Sequence, residues 1–81
     1  MSNQRSDHDD EIVIDARGHR CPVPILKLRR ALAEAPQGAR VRLIADDPLA
    51  RIDVPHFLGE AGIELVQITE MQGSITFSIA K

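Results

Sequence analysis

The chain has 81 residues, 43% of them apolar, and a formal net charge of −2. That length fits one small domain, which buries only about 60% of its unfolded surface and holds a few kcal/mol of stability. Phe57 and Phe77 are its only aromatics, so the core must be aliphatic and the stacking platforms of single-stranded nucleic-acid binders are missing. No apolar run approaches the ~18 residues that span a bilayer. The polar, acidic start offers no apolar stretch for a signal peptide, so the expected compartment is the cytoplasm. One cysteine, Cys21, excludes an intramolecular disulfide, and His8, His19 and His56 are too scattered to complete a thiolate zinc site.

Residues 1–10 read as a disordered acidic tail with almost nothing to bury, and residues 11–81 as one domain. The β-branched run Glu11 to Ala16 predicts a first strand. A loop with Gly18 leads to a helix over Pro22 to Ala35, in which Ile25, Leu28, Leu32 and Ala35 recur at helical spacing. Pro36-Gln37-Gly38 stops it. Arg40 to Ala45 alternates, with Val41, Leu43 and Ala45 on one face, and predicts the second strand.

Asp46-Asp47-Pro48 and then Asp53 with Pro55 repeat a helix-start signal. They predict a short turn followed by a helix over Val54 to Ala61, closed by Gly62. One of the two adjacent aspartates caps and the other is solvated. Ile63 to Met71 and Ser74 to Ala80 predict two strands joined by a Gln72-Gly73 hairpin. The order is βαβαββ. Right-handed crossovers place both helices on one face of a four-stranded mixed sheet, an α+β, two-layer α/β sandwich. Leu28, Leu32, Val41, Leu43, Phe57 and Phe77 are the expected core. The other sheet face stays bare, which suits Arg40, Arg42, Glu64 and Glu70.

Cys21 falls where the first strand has ended and the first helix begins. A helix N-terminus favours negative charge, and Arg17, Arg20 and Lys27 add cations nearby, so the thiol is expected to be partly exposed and to ionise below the usual value of about 8.5. Pro22 and Pro24 lack N–H groups and stiffen the helix start. A cysteine that only fills space is the commoner case, but Arg20 and Pro22 are not apolar packing partners. Residues 17–42 carry Arg17, Arg20, Lys27, Arg29, Arg30, Arg40 and Arg42 against Glu34, a net +6, which points to an anionic partner or an anionic sulfur.

Asp15-Ala16-Arg17-Gly18-His19-Arg20-Cys21-Pro22-Val23-Pro24, together with Ala45-Asp46-Asp47-Pro48, Asp53, Pro55 and Phe57, resembles the TusA/SirA family of small sulfur-carrier proteins and its CPxP motif. The resemblance runs from Ile12 to Lys81. It implies a carrier-type sulfurtransferase, a persulfide relay rather than a stand-alone catalyst. Cys21 takes the carrier role, and Asp15, Gly18, Pro22 and Pro24 match the supporting positions. The implied donor is a cysteine desulfurase that holds pyridoxal phosphate; the carrier itself needs no cofactor and no metal. The implied acceptor is a downstream thiol-bearing protein in tRNA 2-thiolation, molybdenum-cofactor maturation or sulfur oxidation. The chain departs from common members at Ile52, where a basic residue often precedes the aspartate, and at Ile63, where many carry histidine. It also lacks a second cysteine near Leu58, as single-thiol carriers do.

Two other classes compete. In one, Cys21 is incidental and the basic 17–42 block binds an acidic protein or nucleic acid, although without aromatic platforms direct nucleic-acid binding is disfavoured. In the other, the chain is a thiol redox enzyme; such proteins usually need CxxC, and a second cysteine is lacking here.

Overall fold

The structure, a computed structural model, describes residues 11–81; the expected tail over residues 1–10 lies outside them. In chain order the elements are β1 (Glu11–Asp15), α1 (Val23–Glu34), β2 (Arg40–Ala45), α2 (Ala50–Ala61), β3 (Glu64–Met71) and β4 (Ser74–Ala80). The strands form one mixed sheet in the order β1-β2-β4-β3. β1 runs parallel to β2, while β4 is antiparallel to both β2 and β3. The last strand therefore inserts between the second and third. The Gln72-Gly73 turn that sends it there has both residues at positive φ, 50° and 85°, the backbone of a tight two-residue hairpin.

Strand alternation divides the sheet into two faces. Val41, Leu43 and Ala45 of β2 and Ile75, Phe77 and Ile79 of β4 are buried. They pack with Leu28 and Leu32 of α1 and Ala50, Val54 and Leu58 of α2 in one cluster. The opposite face carries Arg40, Arg42, Gln67, Thr69, Thr76 and Ser78, and no helix of the described residues covers it. This is the expected two-layer sandwich.

Four details differ from the sequence reading. Phe57 is only half-buried, and Arg29 lies 5.7 Å above its ring; Leu58 takes the core position instead. The second helix starts at Ala50 and runs through Pro55. Proline costs a helix an N–H, and the preceding turn absorbs the start: Ala50, Arg51 and Ile52 donate to the carbonyls of Asp47, Pro48 and Leu49. Asp53-Pro55 is therefore no start signal. Glu70 pairs with Ile75 in register, which puts it on the helix-bearing face rather than the bare one. A register shift between Leu65 and Gln67 leaves Val66 as an extra residue in edge strand β3.

Candidate functional site

Parallel strands end at the same side of a sheet. The register Asp15↔Ile44 sets the loop after β1 beside the loop after β2, and the Ala16 N–H continues the ladder to the Ile44 carbonyl at 2.8 Å. The two loops then join through side chains. Asp46 accepts the Gly18 N–H with both carboxylate oxygens at 3.0 Å. Asp47 accepts the Cys21 N–H through Oδ2 at 2.8 Å and the Leu49 N–H through Oδ1 at 3.1 Å. Gly18 sits at φ +84°, a conformation that side-chain-bearing residues adopt only at a cost.

The helix begins immediately after. Pro22 is the residue before α1, and no side chain caps it. The Val23 N–H goes to the Arg20 carbonyl at 2.9 Å and the Leu26 N–H to the Pro22 carbonyl at 3.0 Å. The Cys21–Pro22 peptide is cis. Cys21 is thus held by its own backbone N–H, and its sulfur is left uncommitted to capping. The residue is half-buried. Pro24 is fully buried among the core side chains, so it anchors the motif by packing as well as by its ring geometry.

The electrostatics run opposite to expectation. Burial pushes the Cys21 thiol up to about 11, and the negative charges of Asp53 and Asp47 add to the rise. The free thiol is therefore protonated at neutral pH. Arg17 does not tune it, because its guanidinium is spent on Asp15, with Nε to Oδ1 and Nη2 to Oδ2 both at 2.8 Å. That pairing and the Arg17 N–H hold Asp15 down at about 2. Arg20 acts on Asp47 rather than on the sulfur, and Lys27 is an exposed residue of α1.

The fold gathers Cys21, Asp15, Gly18, Pro22 and Pro24 around one loop, as their motif spacing implies. Sequence reasoning missed Asp46, Asp47 and Asp53 as neighbours of the thiol loop. The missed signal was topological: Asp46-Asp47 directly follows a strand parallel to the one that precedes Cys21.

A shallow depression of about 220 Å³, lined by Gly18, His19, Arg20, Asp46, Asp47 and Pro48, opens between the loops after β1 and β2, without Cys21 in its lining. A wider concavity of about 670 Å³ lies on the bare sheet face, around Arg42, Gln67, Thr69, Thr76 and Ser78, and does not include Cys21. Among the described residues no cluster of three or more His, Cys, Asp or Glu is placed to hold a metal, and no helix is long and apolar enough to cross a membrane.

The basic block does not form one patch. Arg40 and Arg42 lie on the bare sheet face, with Arg42 paired to Glu11 at 3.0 Å. Lys27, Arg29 and Arg30 belong to α1 on the other side, where Arg30 stands 3.7 Å from Glu34.

The site and fold define a class: a small α+β domain that presents one thiol on a clamped loop at the entrance of a helix. A family model described as sulfurtransferase TusA matches residues 12–81, and the chain belongs to that family. It is 34% identical over 74 residues to a sulfur carrier protein TusA of Pseudomonas aeruginosa, covering 91% of this chain and 94% of the relative. It is 31% identical over 68 residues to a putative sulfur carrier protein of Archaeoglobus fulgidus, covering 84% and 88%. The crystal structure of a SirA-like protein from Desulfitobacterium hafniense superimposes with a TM-score of 0.77 at 30% identity, over 85% of this chain and 95% of that one.

Proposed function

We propose that this protein is a sulfur carrier, with residues 11–81 as the carrier domain and Cys21 as the residue that bears the cargo. The observation that carries the reading is the placement of the chain's one thiol: half-exposed, backbone-clamped by Asp47, and inside the CPxP element of a chain that matches the family over residues 12–81. Its relatives are named sulfur carrier proteins. A carrier needs a sulfur that two partners can reach in turn, and it needs no enclosed pocket.

The donor in this reading is a cysteine desulfurase with pyridoxal phosphate, acting in the cytoplasm, where free thiols persist. The Cys21 sulfur attacks the terminal sulfur of the donor's persulfide. A new S–S bond forms, the donor's S–S bond breaks, and the donor cysteine leaves as a thiolate that takes up the proton given up by Cys21. An acceptor thiolate then attacks the terminal sulfur on Cys21 in the same way, so neither leg needs an oxidant. The acceptor is a downstream thiol-bearing protein of tRNA 2-thiolation, molybdenum-cofactor maturation or sulfur oxidation. Arg20 and Lys27, exposed on the cysteine loop and on α1, form a docking rim. The rival reading as a basic binding module loses its surface, because the +6 block divides between two sides of the sheet.

Intact-protein mass spectrometry tests the proposal. After incubation with a desulfurase, pyridoxal phosphate and cysteine, the wild type gains one sulfur atom, which a reducing thiol removes. Cys21→Ser gains none, since a hydroxyl without an adjacent base is a poor nucleophile. Equal labelling of both proteins would refute the assignment.

A further inference from the structure

Backbone N–H groups tie the loop between β1 and α1 to the rest of the fold. Arg17 and His19 keep theirs local, to Asp15 Oδ1 at 3.1 Å and to the Ala16 carbonyl at 3.2 Å. Pro22 and Pro24 have none. Gly18 and Cys21 send theirs across 28 and 26 residues, to Asp46 and Asp47. The two carboxylates are used differently. Asp46 is exposed and turns both oxygens on the single Gly18 N–H. Asp47 is half-buried and divides its oxygens, Oδ2 to the Cys21 N–H at 2.8 Å and Oδ1 to the Leu49 N–H at 3.1 Å. Its own carbonyl accepts the Ala50 N–H at 2.9 Å, and Ala50 and Val54 are fully buried at the start of α2. The bond to Cys21 therefore leads, through one side chain, to a helix seated in the core.

We propose that Asp47 is a positioning residue for sulfur transfer, which bridges the Cys21 and Leu49 N–H groups and so aims the thiol from the buried start of α2. The proposal deepens the carrier reading and rests on it. In the exchange the Cys21 sulfur forms a bond to the terminal sulfur of the donor's persulfide, the donor's S–S bond breaks, and the donor cysteine takes up the proton that Cys21 gives up. Attack runs along the axis of the bond that breaks, so the sulfur must approach a partner's S–S bond from one direction. The Cα–Cβ bond of Cys21 carries the sulfur, and its direction follows the backbone that Asp47 holds. A misplacement of ~1 Å at a reacting atom costs about 10²-fold in rate.

Charge gives the test its sign. The thiol is held up first by burial and then by the negative charges of Asp53 and Asp47. Removing the Asp47 charge alone makes the thiolate easier to form and speeds the attack. Losing the aim slows it. Asp47→Asn does both, because one amide oxygen serves Cys21 or Leu49 and the amide N–H groups face the donor left over. In Asp46→Asn a single oxygen still meets a single donor.

The test is single-turnover sulfur loading from a persulfidated cysteine desulfurase at varied concentration, followed by intact-protein mass spectrometry. In Asp47→Asn the maximal rate is expected to fall about tenfold or more, with the half-saturating donor concentration near wild type and the final extent of loading complete. Asp46→Asn should lose less, and an equal or greater loss there overturns the proposal. A maximal rate of Asp47→Asn at or above wild type overturns it, as does a loss confined to the half-saturating concentration, which would make Asp47 a docking contact. A residue needed only for folding would lower the extent of loading and leave the rate of the folded fraction unchanged, and that result overturns it too. If Asp47→Asn does not fold at all, Asp47→Glu decides the matter. It keeps the charge and both oxygens and lengthens the arm by one methylene, so its maximal rate must fall severalfold; a wild-type rate overturns the proposal. Absence of loading in wild type removes the carrier reading and this proposal with it, whereas equal loading of wild type and Asp47→Asn removes the positioning role alone.

Discussion

The Arg51 guanidinium meets the Glu70 carboxylate in two hydrogen bonds, Nε to Oε2 at 2.6 Å and Nη2 to Oε1 at 2.7 Å. The pair ties the first turn of α2 to the far end of β3. Arg51, two places before Asp53, is thereby committed to the sheet rather than to the thiol. Arg51→Ala is therefore expected to leave the Cys21 alkylation midpoint where it is. Its thermal midpoint should drop slightly at low salt and converge on wild type at high salt, because both partners are half-exposed and screened. A shifted alkylation profile would place Arg51 in the thiol's field after all.

Acid reaches the loop that carries Cys21 through Asp15. Asp15 is held down at about 2 by the Arg17 side chain and backbone, below the ordinary carboxylate value of about 3.9. A carboxylate with a depressed folded-state value stabilises the fold fully above its unfolded value and loses that contribution as pH falls through the folded one. The expected window is therefore from about pH 4 down to about 2. In Arg17→Ala the Asp15 carboxyl carbon, followed by NMR, should titrate close to the ordinary value. A titration still near 2 in that variant would mean another group holds the proton off.

Much of this architecture was legible because binary patterning states it locally. Val41, Leu43 and Ala45 alternate inward, and Ile75, Phe77 and Ile79 do the same, so strand identity and the buried face follow from a period of two. Gln72-Gly73 announces its own turn. The thiol's surroundings were not local. Asp46 and Gly18 are 28 residues apart, and Asp47 and Cys21 are 26 apart; short-range propensity rates an aspartate before a proline as a cap and goes no further. Pro55 misdirected the start of α2 in the same way. Placing that start four residues late moved Asp53 out of the helix and hid its charge from the account of the thiol.

Lys81 ties the chain after β4 to the end of α1. Its ammonium donates to the carbonyls of Leu32 and Ala35 at 2.5 and 2.6 Å, at the C-terminal end of α1, while its backbone N–H goes to the Ala39 carbonyl at 2.9 Å. A cation there satisfies orphan carbonyls and suits the negative end of the helix dipole. Lys81→Met keeps the apolar stem and the backbone bond and removes the charge. Urea unfolding should show a loss of about 1.5–3 kcal/mol, the scale of hydrogen bonds from a charged group. Sulfur loading of the folded variant should be unchanged, since Lys81 lies at the opposite end of α1 from Cys21.

Pro24 separates the two duties of the CPxP element. Its ring is fully buried beside Leu28 and Leu32, so Pro24→Ala removes two packed methylenes, at ~0.8 kcal/mol each. It also frees the unfolded chain, which adds about 0.4–1 kcal/mol. The expected loss, about 2–3 kcal/mol, exceeds what the ring's restriction of the backbone alone predicts. The substitution also lifts the constraint on Val23, the first residue of α1, and so loosens the segment on which the Cys21 sulfur is presented. Under conditions where the variant is folded by circular dichroism, its initial rate of sulfur loading should fall below wild type. Unchanged loading in the folded variant would assign Pro24 to the core alone, leaving the Asp47 clamp on the Cys21 backbone to aim the thiol.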